Sequence, residues 1–273
     1  MKAAAFDYHK ARDIADALSA LAAQRGEGKA VAGGCSLGPL LNLRLARPSA
    51  LVDVRGVSEL RQLSRSDSHL VIGACWTHAE IEDGVVPDVT RGLMTRVARG
   101  IAYRPVRNRG TIGGSLAHAD PAADWVTTMA ALDATILVRG SRGDRRQPAV
   151  SFMTAPLTTT LADDEILAAV EVPVLSDAAR WSYHKVSRKV GDFALAIGAA
   201  VVDPKRGLAR VVCGAVEAAP LVLSQTSAAL AKGTAAAIAV AAAEIDTLLP
   251  SHHRVYRQLH AAAVERAIAE LAL

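Results

Sequence analysis

The sequence contains little cysteine. Only Cys35, Cys75 and Cys213 occur among the 273 residues, and none of them lies in a C-x-x-C spacing. A [2Fe–2S] cluster takes four ligands and a structural zinc site takes closely spaced cysteines or histidines, so neither is indicated within this chain. A disulfide framework is not indicated either.

The histidines add no metal site. No recurring set of carboxylate or cysteine partners surrounds His78, His252 and His253 at ligand spacing. Adjacent histidines on a helix also point in different directions. We therefore expect no metal-ligating residue in this chain.

The chain also lacks a large excess of one charge and a long apolar run. Lys and Arg number 31 against 27 Asp and Glu, which gives a net charge of +4 and indicates no nucleic-acid surface. The uncharged stretch at residues 233–243 has 11 residues, whereas a membrane helix needs roughly 20. Because charges interrupt the first apolar residues, no signal peptide is predicted and a cytoplasmic location is expected.

Hydrophobic residues make up 51% of the chain, which is typical of a globular protein. Their spacing predicts helices alternating with short strands in the first part, including a helix over residues 89–101. An antiparallel meander follows, covered by alanine-rich helices over residues 223–249 and 253–271. We predict an α+β fold with a first domain of residues 1–176, divided into subdomains of about 1–57 and 58–176. A C-terminal α+β domain would occupy residues 177–273.

A first glycine-rich turn, VAGGCSL at residues 31–37, follows a predicted strand and opens a predicted helix. Free backbone N–H groups in such a turn can bind phosphate oxygens. The spacing matches neither GxxxxGK[ST] nor GxGxxG, so neither a Walker loop nor a Rossmann nicotinamide site is indicated. Taken alone, a pair of glycines is more often an ordinary turn.

A second glycine-rich segment lies at residues 108–121, which we predict to be a loop. Asp120 is expected to be the N-cap of a helix over residues 122–132, with Pro121 at its first position. Asp124 then lies one turn further along the same face. Both carboxylates can bind a ligand or simply stabilise the start of the helix.

The densest basic cluster, YRPVRNRG, contains Arg104, Arg107 and Arg109. Such clusters can bind phosphates or a partner chain. We interpret this one as a solvated loop.

Four segments occur in an order and spacing that resemble a known family: AGGCSLGPLLNLRLARPSALVDV, GTIGGSLAHADPAAD, PLTTTLADDEILAAVEVP and YHKVSRKVGDFALA. They resemble the FAD-binding medium subunit of the molybdenum hydroxylases, the group that includes carbon monoxide dehydrogenase and xanthine dehydrogenase. The resemblance covers nearly the whole chain. It implies an FAD-binding domain of two α/β subdomains, of the vanillyl-alcohol-oxidase type, followed by a C-terminal antiparallel sheet with helices.

The resemblance also implies where FAD binds. Residues 32–36 would hold the pyrophosphate, Asp124 would bind cofactor hydroxyls, and Ile101 and Lys185 would lie near the flavin ring. The expected cofactor contacts are Ala32, Gly33, Gly34, Cys35, Ser36, Leu37, Ile101, Thr111, Gly113, Gly114, Ser115, Ala117, Asp120, Asp124, Leu161 and Lys185. No catalytic residue is expected on this chain.

Some positions depart from the family or allow two interpretations. Cys35 stands where His or Thr is common, and Ser115 where Asn is common, but backbone groups do most of the phosphate binding. Without the resemblance, Lys185 is an ordinary surface lysine. Tyr183 and Phe193 can shield the ring or belong to the core, and His118 has no clear role.

The function implied by the resemblance is electron transfer within a heteromeric oxidoreductase. FAD on this chain would pass electrons from [2Fe–2S] clusters to a terminal acceptor, and NAD, quinone and oxygen all stay open. A large molybdopterin chain and a small [2Fe–2S] chain would be the partners, in a dimer of heterotrimers. The alternatives are a stand-alone flavin oxidase, which would need a large substrate domain, and a scaffold subunit that has lost FAD.

Overall fold

The computed structural model describes residues 2–271; the ends of the predicted domains at Met1, Ala272 and Leu273 lie outside this range. The strands are β1 (Asp7–Lys10), β2 (Gly28–Val31), β3 (Ala50–Asp53), β4 (Leu63–Arg65), β5 (His69–Gly73), β6 (Thr135–Gly140), β7 (Arg145–Pro148), β8 (Met153–Ala155), β9 (Thr158–Thr159), β10 (Glu165–Pro173), β11 (Arg180–Val186), β12 (Ala196–Asp203), β13 (Leu208–Gly214) and β14 (Leu221–Val222). The helices are α1 (Ile14–Ala23), α2 (Leu37–Asn42), α3 (His78–Glu82), α4 (Leu93–Arg99), α5 (Arg104–Arg107), α6 (Ile112–His118), α7 (Asp124–Ala131), α8 (Ser224–Ala229), α9 (Thr234–Leu248) and α10 (Arg254–Glu270).

The first sheet is small and parallel, with strand order β1-β3-β2. All four residues of β3 are buried, as expected for the central strand of a parallel sheet. Helix α1 packs on this sheet and starts where the Asp13 side chain accepts a hydrogen bond from the Asp16 N–H at 2.8 Å. Such a cap satisfies one of the free N–H groups at a helix start.

The second sheet has five antiparallel strands in the order β4-β5-β10-β6-β7. Its central strand, β10, has the sequence EILAAVEVP, in which a run of apolar residues packs on both faces. The third sheet is an antiparallel meander, β11-β12-β13-β14, which α10 covers. Every residue of α7 is buried, and this helix contacts β12 and β13 of the third sheet.

The predicted α+β class and its C-terminal antiparallel sheet with helices are confirmed. The loop at residues 174–179 joins the second and third sheets. The division into domains at residue 176 stays a prediction.

The prediction of a continuous loop at residues 108–121 is wrong, because α6 lies inside it. The Thr111 hydroxyl caps this helix by accepting a hydrogen bond from the Gly114 N–H at 3.0 Å. Gly113 packs so closely on the end of β5 that an added Cβ would lie 2.4 Å from the Cβ of Ala74. The glycines therefore allow a tight helix–sheet contact, and the cap outweighs their low helix propensity.

The prediction that Asp120 caps a helix starting at Pro121 is also wrong. Helix α7 begins at Asp124, after Ala123, which has no side-chain cap. The Asp120 carboxylate instead accepts from the Ala122 N–H at 2.9 Å in the preceding turn. Asp residues favour such local turns as readily as helix caps.

Two predicted helices differ in extent. The helix expected from residue 89 starts at Leu93, because Asp88 binds the N–H groups of Thr90 and Gly92 in a turn before it. The helical stretch over residues 223–249 is interrupted at Gly233, where φ is +109°. A positive φ is accessible to glycine at little cost.

We predict that Gly214→Ala destabilises the contact between α7 and β13. An added Cβ would lie 1.9 Å from the Thr127 hydroxyl oxygen, and overpacking of this kind costs about 1–3 kcal/mol of unfolding free energy. The measurement is chemical denaturation of the variant. Adding Thr127→Ala should recover part of the loss because it removes the overlapping atoms.

Gly56→Ala is the matched control, since its Cβ would approach only the Cε of Lys10, at 3.7 Å. If Gly214→Ala and Gly56→Ala unfold at the same denaturant concentration, the proposed overlap is absent.

Candidate functional site

The two glycine-rich motifs meet in the structure. A Cβ added at Gly33 would lie 2.1 Å from the carbonyl oxygen of Arg109, and one added at Gly114 would lie 3.9 Å from the Cβ of Ala32. The Cys35 thiol also lies 3.7 Å from the carbonyl oxygen of Val106. The backbone of the first turn therefore rests directly on the segment that leads into α6.

The first turn presents a row of unpaired backbone donors. Within residues 2–271, the N–H groups of residues 33–37 have no acceptor. Gly34 has a φ of +71°, and its carbonyl accepts from the Gly38 N–H at 2.9 Å. Successive free N–H groups in a turn of this kind form a concave anion-binding site. The residues at this turn therefore fit a phosphate-bearing group such as the pyrophosphate of FAD.

The second motif contributes fewer free donors. The Gly113 N–H donates to the Ala74 carbonyl at 3.0 Å, and the N–H groups of Gly114 and Ser115 donate to Thr111. The N–H of Thr111 has no acceptor within the described range. Of the expected contacts here, the backbone of Thr111 and the side chain of Ser115 can bind a ligand, while Gly113 serves the packing of α6.

A cavity of about 170 Å³ opens between the two motifs. Its lining contains three arginines, two threonine hydroxyls and no carboxylate. The lining residues are Gly33, Arg55, Arg61, Cys75, Thr77, Asn108, Arg109 and Thr111. This lining favours a ligand that carries negative charge.

Further along, Asp124 and Lys185 form a largely buried ion pair. The ammonium of Lys185 lies 3.0 Å from one carboxylate oxygen of Asp124 and 3.4 Å from the Gly100 carbonyl. The Tyr183 hydroxyl donates to the other carboxylate oxygen at 2.7 Å. Asp124 lies on α7 and its two partner side chains lie on β11, so this network joins α7 to an outer strand of the third sheet.

Burial raises the pKa of Asp124, and the neighbouring Lys185 ammonium and Tyr183 hydroxyl oppose that shift. Burial also raises the pKa of Tyr183 well above its usual value, so the phenol keeps its proton and stays a donor. The carboxylate is thus held by two donors from one strand. The hydroxyl of Tyr183 was not expected in this role, since hydrogen bonds between distant segments leave no local sequence signal.

Ile101 lies next to the same network. It forms an isolated parallel bridge with Gly191, in the loop after β11. Gly191 has a φ of +89°, and an added Cβ would lie 2.5 Å from the Ala102 carbonyl oxygen. Sequence reasoning missed Gly191, although a Gly-Asp pair after the basic strand is a turn signal. The structure brings Ile101, Asp124 and Lys185 together around Gly100.

The other expected residues are more scattered. Leu161 is partly buried against the main core, and the segment before it is tied to the end of α6 by the Leu157 N–H, which donates to the Ala119 carbonyl at 2.8 Å. Ala117 is exposed on α6, and His118 lies in its last turn. Phe193 is 66% exposed, so it does not belong to the core of the described chain.

The neutral histidine at position 78 has a structural role. Trp125 donates its ring N–H to Nδ1 of His78 at 3.0 Å. Burial, with a contribution from the charge of Arg107, lowers the pKa of His78 to about 4. Over residues 2–271, no group of three or more His, Cys, Asp or Glu side chains is arranged to hold a metal ion.

Comparison with known proteins identifies the family. Residues 4–175 match the family model described as the FAD binding domain in molybdopterin dehydrogenase. The chain belongs to this family. The predicted resemblance is therefore confirmed, and with it the assignment to oxidoreductases that use FAD.

Several relatives are subunits of named dehydrogenases. The chain is 35% identical to the carbon monoxide dehydrogenase medium chain of Hydrogenophaga pseudoflava over 202 residues, which covers 74% of this chain and 70% of the relative. It is 33% identical to the caffeine dehydrogenase subunit beta of Pseudomonas sp. over 226 residues, covering 81% and 76%.

Solved structures show the same fold over the whole chain. A carbon monoxide dehydrogenase from Hydrogenophaga pseudoflava that lacks the Mo-pyranopterin moiety aligns with a TM-score of 0.90 and 29% identity, covering 100% of this chain and 99% of that chain. Quinoline 2-oxidoreductase from Pseudomonas putida 86 aligns with a TM-score of 0.88 and 33% identity, covering 100% and 98%. No helix in the described part of the chain is long and apolar enough to cross a membrane.

We predict that Asp124→Asn lowers the free energy of unfolding by about 3–5 kcal/mol, because it leaves the Lys185 ammonium without its charge partner in a site where that side chain is 12% exposed. Chemical denaturation measures the loss. The double variant Asp124→Asn with Lys185→Met should recover part of it, since neither charge then needs a partner.

Lys205→Met is the matched control, because its ion pair with Asp177 is exposed on both sides and such pairs contribute about 0–1 kcal/mol. The buried pair does not stabilise the fold if Lys205→Met lowers the free energy of unfolding as much as Asp124→Asn does. The same conclusion holds if the double variant recovers none of the lost stability.

Proposed function

We propose that this chain binds one FAD noncovalently and serves as the electron-transfer subunit of a heteromeric molybdenum hydroxylase. The observation that carries the proposal is the row of five backbone N–H groups at residues 33–37, none of which has an acceptor within residues 2–271. Because the segment that leads into α6 abuts this turn at Gly33, the proposed phosphate-binding surface continues towards the N–H of Thr111. Membership of the family supports the choice of FAD as the bound group.

The Asp124 network is the second part of the proposed site. The Lys185 ammonium has three N–H bonds, and Asp124 and Gly100 accept two of them. The third is available to a ligand beside Ile101. When bound, FAD supplies a carrier that can take up or release one electron or two. A fixed ammonium at this place stabilises negative charge on a bound ring.

We propose partner chains because the cysteines of this chain cannot hold an iron–sulfur cluster. Burial raises the pKa of Cys75 to about 11 and that of Cys213 to about 12, so both stay protonated. Three separate cysteines provide no cluster site. We therefore assign the [2Fe–2S] clusters to a small partner chain and molybdopterin to a large one, in a dimer of heterotrimers in the cytoplasm. The relative called a medium chain supports such an assembly.

We expect Gly34→Val to abolish stoichiometric FAD binding. A β-branched side chain is strained at a φ of +71° and shields the N–H groups of the turn. The flavin absorbance per mole of purified protein, measured after desalting, tests this. Gly207→Val is the matched control, because Gly207 has a φ of +64° with nothing near its Cβ position and lies in the loop before β13.

The phosphate assignment is wrong if folded Gly34→Val keeps as much flavin as Gly207→Val. If the unmodified chain binds no FAD at all, the alternative of a scaffold that has lost its cofactor holds instead.

We also expect the chain to act only within a complex. Affinity purification of the tagged chain under mild conditions from its native cells should recover two further chains together with molybdenum and iron, detected by elemental analysis. The chain alone should carry flavin without either metal.

The stand-alone oxidase alternative predicts the reverse. Reduction of the flavin by carbon monoxide, caffeine or quinoline in the isolated chain, shown to be free of molybdenum and iron, would support that alternative and contradict the heteromer.

A further inference from the structure

The basic segment at residues 104–109 contains two kinds of arginine. The guanidinium of Arg104 binds Asp83 and Glu82, and that of Arg107 binds Glu82 at 2.7 Å. These two residues tie α5 to the end of α3. Arg109 is exposed and makes no side-chain hydrogen bond or ion pair with any of residues 2–271. The interpretation of this segment as a solvated loop therefore does not hold for Arg104 and Arg107, and it fits only the part that contains Arg109.

Arg109 is placed at the contact between the two glycine motifs. Its carbonyl oxygen lies 2.1 Å from where a Cβ of Gly33 would stand, so its backbone is fixed against the first turn. Its side chain lines the cavity that Gly33 and Thr111 also line. Burial raises the pKa of the Cys35 thiol, and the charge of Arg109 acts against that shift.

The other two arginines of the cavity are already neutralised. Arg55 lies 2.6 Å from a carboxylate oxygen of Asp53, and Arg61 lies 2.7 Å from one of Glu80. Since no carboxylate lines the cavity itself, Arg109 leaves it with one uncompensated positive charge. A cation with an unused fork of N–H donors beside free backbone N–H groups suits a phosphate group.

We propose that Arg109 is a binding residue for the pyrophosphate of FAD, and that its guanidinium complements the backbone N–H groups of residues 33–37. The inference rests on the proposed function, since it takes FAD to be the ligand. It assigns a role to a side chain of the second glycine-rich segment that is not among the expected cofactor contacts. The backbone fixes where the phosphates lie, and Arg109 supplies the charge that the backbone lacks.

The test measures the dissociation constants of flavins from the deflavinated full-length chain by fluorescence. Arg109→Gln should weaken FAD binding about tenfold, which corresponds to about 1.4 kcal/mol. The FAD affinity of Arg109→Lys should lie between those of Arg109→Gln and the unmodified chain, because lysine keeps the charge but lacks the planar set of guanidinium N–H donors. The matched control is Arg96→Gln, at another exposed arginine without a partner in the described range.

Two further probes separate the phosphate from the ring. ADP, used as a competitor, should lose affinity for Arg109→Gln by the same factor as FAD, and riboflavin should bind both chains equally. Raising the salt concentration should weaken FAD binding less in Arg109→Gln than in the unmodified chain, because screening then has one charge fewer to act on.

Each other result overturns the inference. If Arg109→Gln and Arg96→Gln bind FAD and ADP with the same affinities, Arg109 has no role in binding. If Arg109→Gln weakens riboflavin binding as much as FAD binding, the substitution acts through the fold and not through a phosphate contact. If ADP alone depends on Arg109, the residue binds a separate nucleotide. A failure of the proposed function is distinct from these, because it shows as an unmodified chain that does not bind FAD.

Discussion

Close contact between two stretches of backbone at Gly33 is the constraint on which the site depends. The carbonyl of Arg109 occupies the space where any side chain at position 33 would begin. This contact places the first glycine turn directly against the segment that enters α6. The N–H groups of residues 33–37 in this turn find no acceptor within residues 2–271. The anion binding that we propose for this turn would thus follow from a packing requirement of the backbone, with side chains adding charge to it.

A second contact holds the site from the other end. The carboxylate of Asp124 is buried on α7, which is itself buried along its whole length. Burial of an unpaired carboxylate is costly, so Tyr183 and Lys185 both stabilise the ionised form. The same contacts fix the lysine over Gly100 and Ile101. If the ion pair is lost, α7 loses a side-chain link to β11 and the ammonium of Lys185 loses its charge partner.

The sequence predicted the parts of the site that depend on local geometry. Strand, glycine turn and helix follow each other at residues 28–42 as the spacing indicates. The start of α6 was missed because two glycines lower helix propensity, while the cap from Thr111 and the fit against Ala74 raise the stability of the helix. Asp120 was misplaced because turns and helix caps use the same residue types. Partners of Asp124 lie about sixty residues away on β11, and no local pattern encodes such a pairing.

The three arginines of residues 104–109 show why composition alone does not predict which positive charges remain available to a ligand at the site. All three belong to one short basic stretch, but the fold brings the carboxylates of α3 and its end to Arg104 and Arg107 only. A charge counts for ligand binding when the fold leaves it without an internal partner. By this criterion Arg55 and Arg61 contribute shape and hydrogen-bonding groups to the cavity, and Arg109 contributes the net charge. The electrostatic character of the site is therefore set by which pairs the tertiary structure forms.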